Sequence, residues 1–327
     1  MSKFALLQPL NQRFEVAETE TLLEAGLRAG LALNYGCSNG NCGLCKARVV
    51  RGEVSKLRHH DYVFSDAEKT QNYALMCSCG AHTDVELEAN VAAHVNEIQL
   101  HDIPARVHAL KPLTADILLM HLQTPRSNRL RFLAGQSVAL SIEDDANAYP
   151  ISSCPCDDRN LHFHVYRDDA NPFARRIFDR VRVGDTVNVY GPVGEFVLHQ
   201  TSTRPIVLLA CDRGFAPIKS LAEHAMALEH APAIFLYWFS KSQDGHYLAN
   251  ACRAWADALD TFHFQEIVVA TANDAQRENL LVSVLGRHAD LKGFDFYIAG
   301  PQPFVVSSSA ILSLKGIDQT HFISMVL

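Results

Sequence analysis

The chain has 327 residues, 48% hydrophobic and 20% charged, a composition that excludes a disordered or fibrous protein and leaves room for two or three domains with separate cores. The formal net charge of -7, with no long basic run, gives no footprint for direct nucleic-acid binding, and no apolar run approaches the roughly 20 residues of a membrane helix. The first residues lack the sustained apolar core of a signal peptide, so the expected compartment is cytoplasmic, where nine cysteines argue for metal or redox chemistry before disulfides.

Short strands are expected around Phe4–Leu6 and Phe14–Ala17. A helix is expected over Thr21–Ala29, with Leu23 and Leu27 four apart and Gly26 weakening the pattern. The segment NYGCSNGNCGLCKARVV follows. Cys37, Cys42 and Cys45 form C-x4-C-x2-C, and Cys77 comes after 31 intervening residues, which is plant-type [2Fe-2S] spacing. Gly36, Gly40 and Gly43 let the backbone close around inorganic sulfide without side-chain obstruction. A structural zinc site is the alternative, although such sites usually pair two short knuckles. Cys79 reads as a small packing residue, Cys154, Cys156, Cys211 and Cys252 as buried inert thiols, and the doublet His59–His60 as a solvated loop.

Ala92–Pro104 is polar, aperiodic and ends in proline, as a linker would. Strands are then expected at Ala105–Leu110, Ile117–Leu122, Ser137–Ile142, Leu161–Tyr166 and Thr186–Tyr190, a series that suggests a small antiparallel barrel. Within it, DANPFARRIFDRV reads as a helix with Asn171 as N-cap, Pro172 as first residue, and Phe173, Ile177 and Val181 on one face. Arg175 and Arg176 in its first turn are unfavourable on dipole grounds unless an anion is bound there. From Arg204 onward, PIVLLAC, AIFLYWF, FQEIVVA and DFYIAG alternate with helical segments. This is the pattern of a doubly wound parallel sheet with its ligand at the strands' carboxyl ends. The expected fold is therefore a multidomain mixture of α+β and α/β, divided at 1–92, a linker 93–103, 104–202 and 203–327.

With these motifs the chain resembles the bacterial oxygenase-coupled reductases. In that family a plant-type ferredoxin domain of the β-grasp fold precedes the flavin-binding barrel and nicotinamide domain of the ferredoxin-NADP reductase superfamily. The resemblance implies a [2Fe-2S] cluster on Cys37, Cys42, Cys45 and Cys77, and FAD, with FMN as the runner-up. FLAGQSVAL at 132–140 resembles the family's strand entry into the flavin barrel. The flavin contacts it implies are Tyr149 and Pro150, Val165 and Arg167, and Pro172, Phe173, Ala174, Arg175 and Arg176. The family's flavin signature begins with an arginine where this chain has Asn147, and a hydroxyl residue of the pyrophosphate turn is replaced by Ala174. Loss of the arginine contact weakens flavin binding by roughly 1.5 to 3 kcal/mol unless Arg175 or Arg176 replaces it.

Further departures cluster at the nicotinamide side. Asp212 and Arg213 stand where the family has small neutral residues, Phe239 and Lys241 where it has a small residue and an arginine, and Ala299 where it has a cysteine. Met325 and Leu327 stand where relatives carry an acid and a terminal aromatic. A like charge about 4 Å from a phosphate costs on the order of 1 kcal/mol in water and 4 kcal/mol in a protein-surface dielectric, and Arg213 cancels it only if both side chains point the same way. The pattern implies a [2Fe-2S] flavoprotein whose reduction by NAD(P)H is weak or lost. Such a protein would be a redox sensor acting through a transcription activator, similar in design to reductase-like regulators of aromatic catabolism, such as that of tetralin. The alternative is the family activity, NAD(P)H-dependent supply of electrons to a ferredoxin or oxygenase component.

Overall fold

The computed structural model describes residues 2–31, 33–89, 98, 100–126, 128–199, 202–269, 274–288 and 290–327, with only the backbone at 274–278. The first sheet is built from β1 (Lys3–Gln8), β2 (Gln12–Val16), β3 (Lys46–Arg51), β5 (Tyr73–Leu75) and β7 (Val85–Ala89), in the order β2-β1-β7-β3-β5. A separate ribbon pairs β4 (Val54–Lys56) with β6 (Cys79–Ala81). Helix α1 (Leu22–Arg28) packs on the sheet through Leu22, Leu23 and Ala25. Thr21 and Glu24 form a reciprocal capping box that fixes where it starts. A second short helix, α2 (Asp66–Thr70), is capped in the same way by Ser65 and Glu68.

The second sheet is antiparallel, with β8 (His101–Pro112), β9 (Ile117–Gln123), β10 (Ser137–Ile142), β11 (Asp145–Pro150), β12 (Asn160–Tyr166) and β13 (Thr186–Val193) in the order β11-β10-β13-β8-β9-β12. It curls until its edge strands β11 and β12 touch, and just beyond β11 the Ser152 N–H donates to the His162 carbonyl at 2.8 Å. Helix α3 (Pro172–Asp179) plugs the curl with Phe173, Ala174 and Ile177, and Asn171 caps it by accepting from the Ala174 N–H at 3.1 Å. Strand β8 begins inside the stretch expected to be a linker. Pro104 is tolerated there because β8 pairs at that point with β13 alone, so the missing N–H is lost on an open side. Ile98, within the same stretch, is buried, while residues 92–97 and 99 lie outside the described residues.

The third sheet is parallel, β16 (Phe262–Val268), β15 (Ile234–Ser240), β14 (Ile206–Cys211), β17 (Asp295–Gly300) and β18 (Phe322–Val326) in that order. Helices α4 (Phe215–Ala227), α5 (Ala249–Ala258), α6 (Asp274–Leu285) and α7 (Gln302–Leu314) complete it. Every residue of β14 and β17 is buried, as continuous apolar runs covered on both faces require. The strand order reverses at β14, so the crevice outside its carboxyl end is where a ligand is expected. Among the described residues, no helix is long and apolar enough to cross a membrane.

Candidate functional site

The four predicted cluster cysteines come together at one end of the first sheet. Cys45 and Cys77 sulfurs are 3.2 Å apart. Asn41 and Cys42 N–H groups each donate to Cys37 Sγ at 3.3 Å, and Cys37 N–H donates to Cys42 Sγ at 3.4 Å. As thiols, Cys45 and Cys77 share a proton: Cys45 donates and is raised, while that contact pulls Cys77 down to about 6. A set of sulfur donors ringed by backbone N–H groups suits an anionic sulfur cluster, because those donors stabilise negative charge on sulfur. Gly40 is required by contact, since a Cβ there would lie 2.4 Å from the His60 Cβ. His60 is thus packed over the loop and bonded through Nδ1 to the Tyr62 carbonyl at 3.1 Å, whereas His59 is solvated as expected.

The loop is docked on the barrel by residues the sequence did not single out. Arg129 N–H donates to the Gly36 carbonyl at 3.4 Å, and Arg131 Nη1 donates to Asn34 Oδ1 at 3.3 Å. Arg129 Nη1 also bonds Asp158 Oδ1 at 3.0 Å. Burial raises the Asp158 carboxyl, and Arg129 only partly offsets it. No short motif announces this seam, because its members are scattered over more than a hundred positions.

At the barrel mouth, Tyr149 is buried against Phe173, with ring centroids 5.5 Å apart, and Pro150 follows it at the end of β11. Ala174 and Val165 are fully buried, so only their backbones are available to a ligand, while Pro172 and Arg175 are exposed. Arg176 does not stand open to an anion: Asp145 takes its Nε at 2.6 Å and Glu143 its Nη1 at 2.7 Å. Because α3 is only eight residues long, Arg176 falls in its last turn, where the helix dipole does not oppose a cation, and its charge is paired by these two carboxylates of the β10–β11 hairpin rather than by a bound anion. Arg167 lies 3.7 Å from Asp116 and stacks over Phe178 at 4.3 Å.

The turn after β14 faces this mouth. Asp212 takes a left-handed backbone, φ 47°, which aspartate tolerates better than most residues. Its carboxylate accepts from Ser240 Oγ at 3.3 Å and lines a cavity of about 690 Å³ with Cys211, Phe239, Lys241, Pro301 and Phe304. Arg213 goes the other way, over the Tyr166 ring at 5.1 Å and to within 3.9 Å of Asp168, so it does not cancel the Asp212 charge in the cavity. Phe239 is buried against Phe304 in the cavity wall, centroids 5.2 Å apart. Ala299 is fully buried, and Leu327 is held by its N–H to the Gly300 carbonyl at 3.0 Å. Behind the turn, Tyr166, Tyr247 and His164 form a buried chain, with hydroxyls 2.8 Å apart and Tyr247 2.9 Å from His164 Nδ1. It joins β12 to the connection before α5 and carries no sequence signature.

Two cysteines overturn their expected role. Cys154 and Cys156 form a disulfide, and Cys156 is exposed, so neither is an inert buried thiol; Cys211 and Cys252 are buried. The compartment argument misses this pair because Cα atoms two residues apart sit at 5.2 Å, within bridging range.

The 2Fe-2S iron-sulfur cluster binding domain family matches residues 6–82, and the oxidoreductase NAD-binding domain family matches residues 208–309. Protein RfbI of Salmonella typhimurium is 27% identical over 99% of this chain and 96% of its own length. The reductase of CDP-6-deoxy-L-threo-D-glycero-4-hexulose-3-dehydrase from Yersinia pestis is 26% identical over 99% and 98%. The reductase component of propane 2-monooxygenase from Mycolicibacterium smegmatis is 27% identical over 96% and 94%. Among solved structures, the Amycolatopsis cytochrome P450 reductase GcoB superposes with a TM-score of 0.63 at 24% identity, covering 99% of this chain and 98% of that one. The first match spans the cysteine loop and the second the turn at 209–217, in the order of the full-length relatives. The chain therefore carries a 2Fe-2S iron-sulfur cluster binding domain ahead of an oxidoreductase NAD-binding domain, and along nearly its whole length it is similar to reductases of this two-domain kind.

Proposed function

We propose that the protein is an electron-transfer flavoprotein that passes single electrons through a [2Fe-2S] cluster to an oxygenase or ferredoxin partner. The observation that carries this reading is the seam: Arg129, Arg131 and Asp158 fix the cysteine loop to the same barrel whose mouth holds Tyr149 and the start of α3. FAD, when bound, would accept an electron pair and release it one electron at a time, matching a cluster that takes one. Tyr149 and Phe173 would form the aromatic wall for the ring, and the α3 N-terminus with Arg175 would meet its phosphates. The match of residues 208–309 to an oxidoreductase NAD-binding domain supports a pyridine nucleotide as donor, received in the cavity beside Asp212.

A second reading is favoured by that same carboxylate. Asp212 keeps negative charge where a dinucleotide's phosphates would lie, Arg213 leaves it uncompensated, and Phe239 narrows the site. On this reading the donor is another protein, such as a reduced ferredoxin, and the redox state is read by a transcription activator in a cytoplasmic regulatory circuit of aromatic catabolism. An anaerobic titration with NADH and NADPH, following flavin and cluster absorbance, separates the two. Rapid bleaching at micromolar nucleotide supports the reductase; bleaching only by dithionite or reduced ferredoxin supports the sensor.

A further inference from the structure

Cys154-Pro155-Cys156 leaves the end of the barrel sheet and is held from the third sheet's side. Lys219 Nζ donates to the Ser152 carbonyl at 3.0 Å and Ser220 Oγ to the Ser153 carbonyl at 2.7 Å. On the same helix, one turn further, His224 brings Nδ1 to 3.6 Å from Cys154 Sγ. Burial, with His230 nearby, lowers His224 to about 4, so its imidazole is neutral near pH 7. The two sulfurs and a His224 ring nitrogen all lie within 4.8 Å of one another. Beside them opens a cavity of about 360 Å³ whose walls include Cys156, His224 and, from the cluster loop, Ser38 and Cys77. The pair is therefore reachable from solvent, backed by a base, and adjacent to a cluster ligand.

We propose that Cys154 and Cys156 are a redox-active dithiol–disulfide couple, served by His224 and reacting with low-molecular-weight thiols that enter this cavity. In the reducing direction, a thiolate attacks exposed Cys156 Sγ, the Cys154–Cys156 bond breaks, and Cys154 leaves as a thiolate that takes a proton. A second thiolate attacks the mixed disulfide and releases Cys156. The sum is one protein disulfide plus two thiols giving one protein dithiol and one small disulfide, with two electrons and two protons passing to the protein. In the oxidising direction, Cys156 attacks a small disulfide and releases one small thiol; Cys154 then attacks Cys156 Sγ of the mixed disulfide and displaces the second small thiolate, while His224 Nδ1 accepts the Cys154 S–H hydrogen bond and passes the proton to that leaving thiolate. A buried structural bridge would have neither an exposed sulfur nor a neutral base against it. The couple gives the seam between cluster loop and barrel a wall whose chemistry follows the surrounding thiol pool.

The test uses the full cluster-loaded chain. Samples are equilibrated without oxygen in glutathione buffers of graded thiol-to-disulfide ratio, then denatured and alkylated. The tryptic peptide from Phe132 to Arg159 holds Cys154 and Cys156 and no other cysteine, so its mass reports the couple alone. The expected result is a passage from two alkyl groups to none across the series while cluster absorbance persists. A peptide fixed at two, or fixed at none, at every ratio overturns the proposal. His224→Gln is expected to slow disulfide closure roughly tenfold, less than the about hundredfold lower end of general acid–base effects because an imidazole lowered to about 4 is a weak base. An unchanged rate in a variant that keeps its cluster absorbance removes His224 from the couple.

Discussion

Ser240 donates its hydroxyl to the Asp212 carboxylate at 3.3 Å, linking the ends of β15 and β14 and holding the charge at the rim of the large cavity. That bond decides where the carboxylate points, since the neighbouring Arg213 turns toward the barrel. Asp212→Asn removes the charge, and Asp212→Gly also suits the left-handed backbone at φ 47°. Either change is expected to tighten NADH binding by about tenfold, the factor that corresponds to about 1.4 kcal/mol. Equilibrium binding of NADH to both variants checks it, and an unchanged dissociation constant would show that the carboxylate does not meet the nucleotide.

Gly214 sits where the turn crosses β17, and a Cβ there would lie 1.9 Å from the Ala299 carbonyl oxygen. Its backbone is ordinary, so the constraint is space alone. Gly214→Ala is expected to destabilise the chain by about 1–3 kcal/mol, the usual cost of overpacking. Urea unfolding followed by tryptophan fluorescence reads the loss. Trp238, stacked on Phe215 directly behind the turn, makes that signal local.

Periodicity and punctuation made most elements legible. The helix after Thr21, the Asn171-Pro172 start of α3 and the continuous apolar run of β14 all sit where the residues indicated. Cysteine spacing likewise brought four thiols together. What the sequence hid is long-range: Arg129 with Asp158, and Tyr166 with Tyr247 and His164, are contacts between distant segments that no local pattern encodes. Arg176 shows the limit of dipole reasoning, because α3 is short enough to place it in the last turn and its partners, Asp145 and Glu143, lie about thirty positions away. The strand at His101 was hidden by Pro104, whose open side only the sheet order reveals.

The ligand set can be tested by two neighbours. Cys77 meets Cys45 sulfur to sulfur, whereas Cys79 sits buried in β6 opposite Lys56. Cys77→Ala is expected to abolish the visible absorbance of the cluster and lower stability, because a cluster contributes folding free energy. Cys79→Ala is expected to retain that absorbance. Equal loss in both variants would contradict the assigned four.

Acid should loosen the fold before most carboxylates titrate. Burial lowers His162 and His224 to about 4, and holds the buried His164 well below its ordinary value. These groups are neutral in the folded chain, while the unfolded chain protonates them near 6.5. Their stabilising contribution is therefore complete above about pH 6.5 and is lost as the pH falls toward 4, at about 1 kcal/mol per pH unit for each group. Urea midpoints measured between pH 7 and pH 4.5 should fall, and His162→Gln should flatten the slope. A slope unchanged by the substitution would mean that His162 is solvated.

Arg213 offers the cation that Asn147 does not. From the turn after β14 it crosses to the barrel, lying over Tyr166 and 3.9 Å from Asp168, and its charge is felt at Tyr149. Arg176, by contrast, is held by two carboxylates, and Arg175 is solvent-exposed with no ion pair among the described residues. If flavin lies between Tyr149 and this turn, Arg213→Ala should lower flavin affinity more than Arg176→Ala. The expected weakening is about tenfold or more, the lower end of what one charge-assisted hydrogen bond contributes. Flavin released per chain on gel filtration, and its recovery on titration with free FAD, measure this directly without any turnover. Retention by Arg213→Ala together with loss by Arg175→Ala would leave the phosphates to the start of α3 and Arg175 alone, with no help from Arg213, and loss confined to Arg176→Ala would show that its two acidic partners give way to the cofactor.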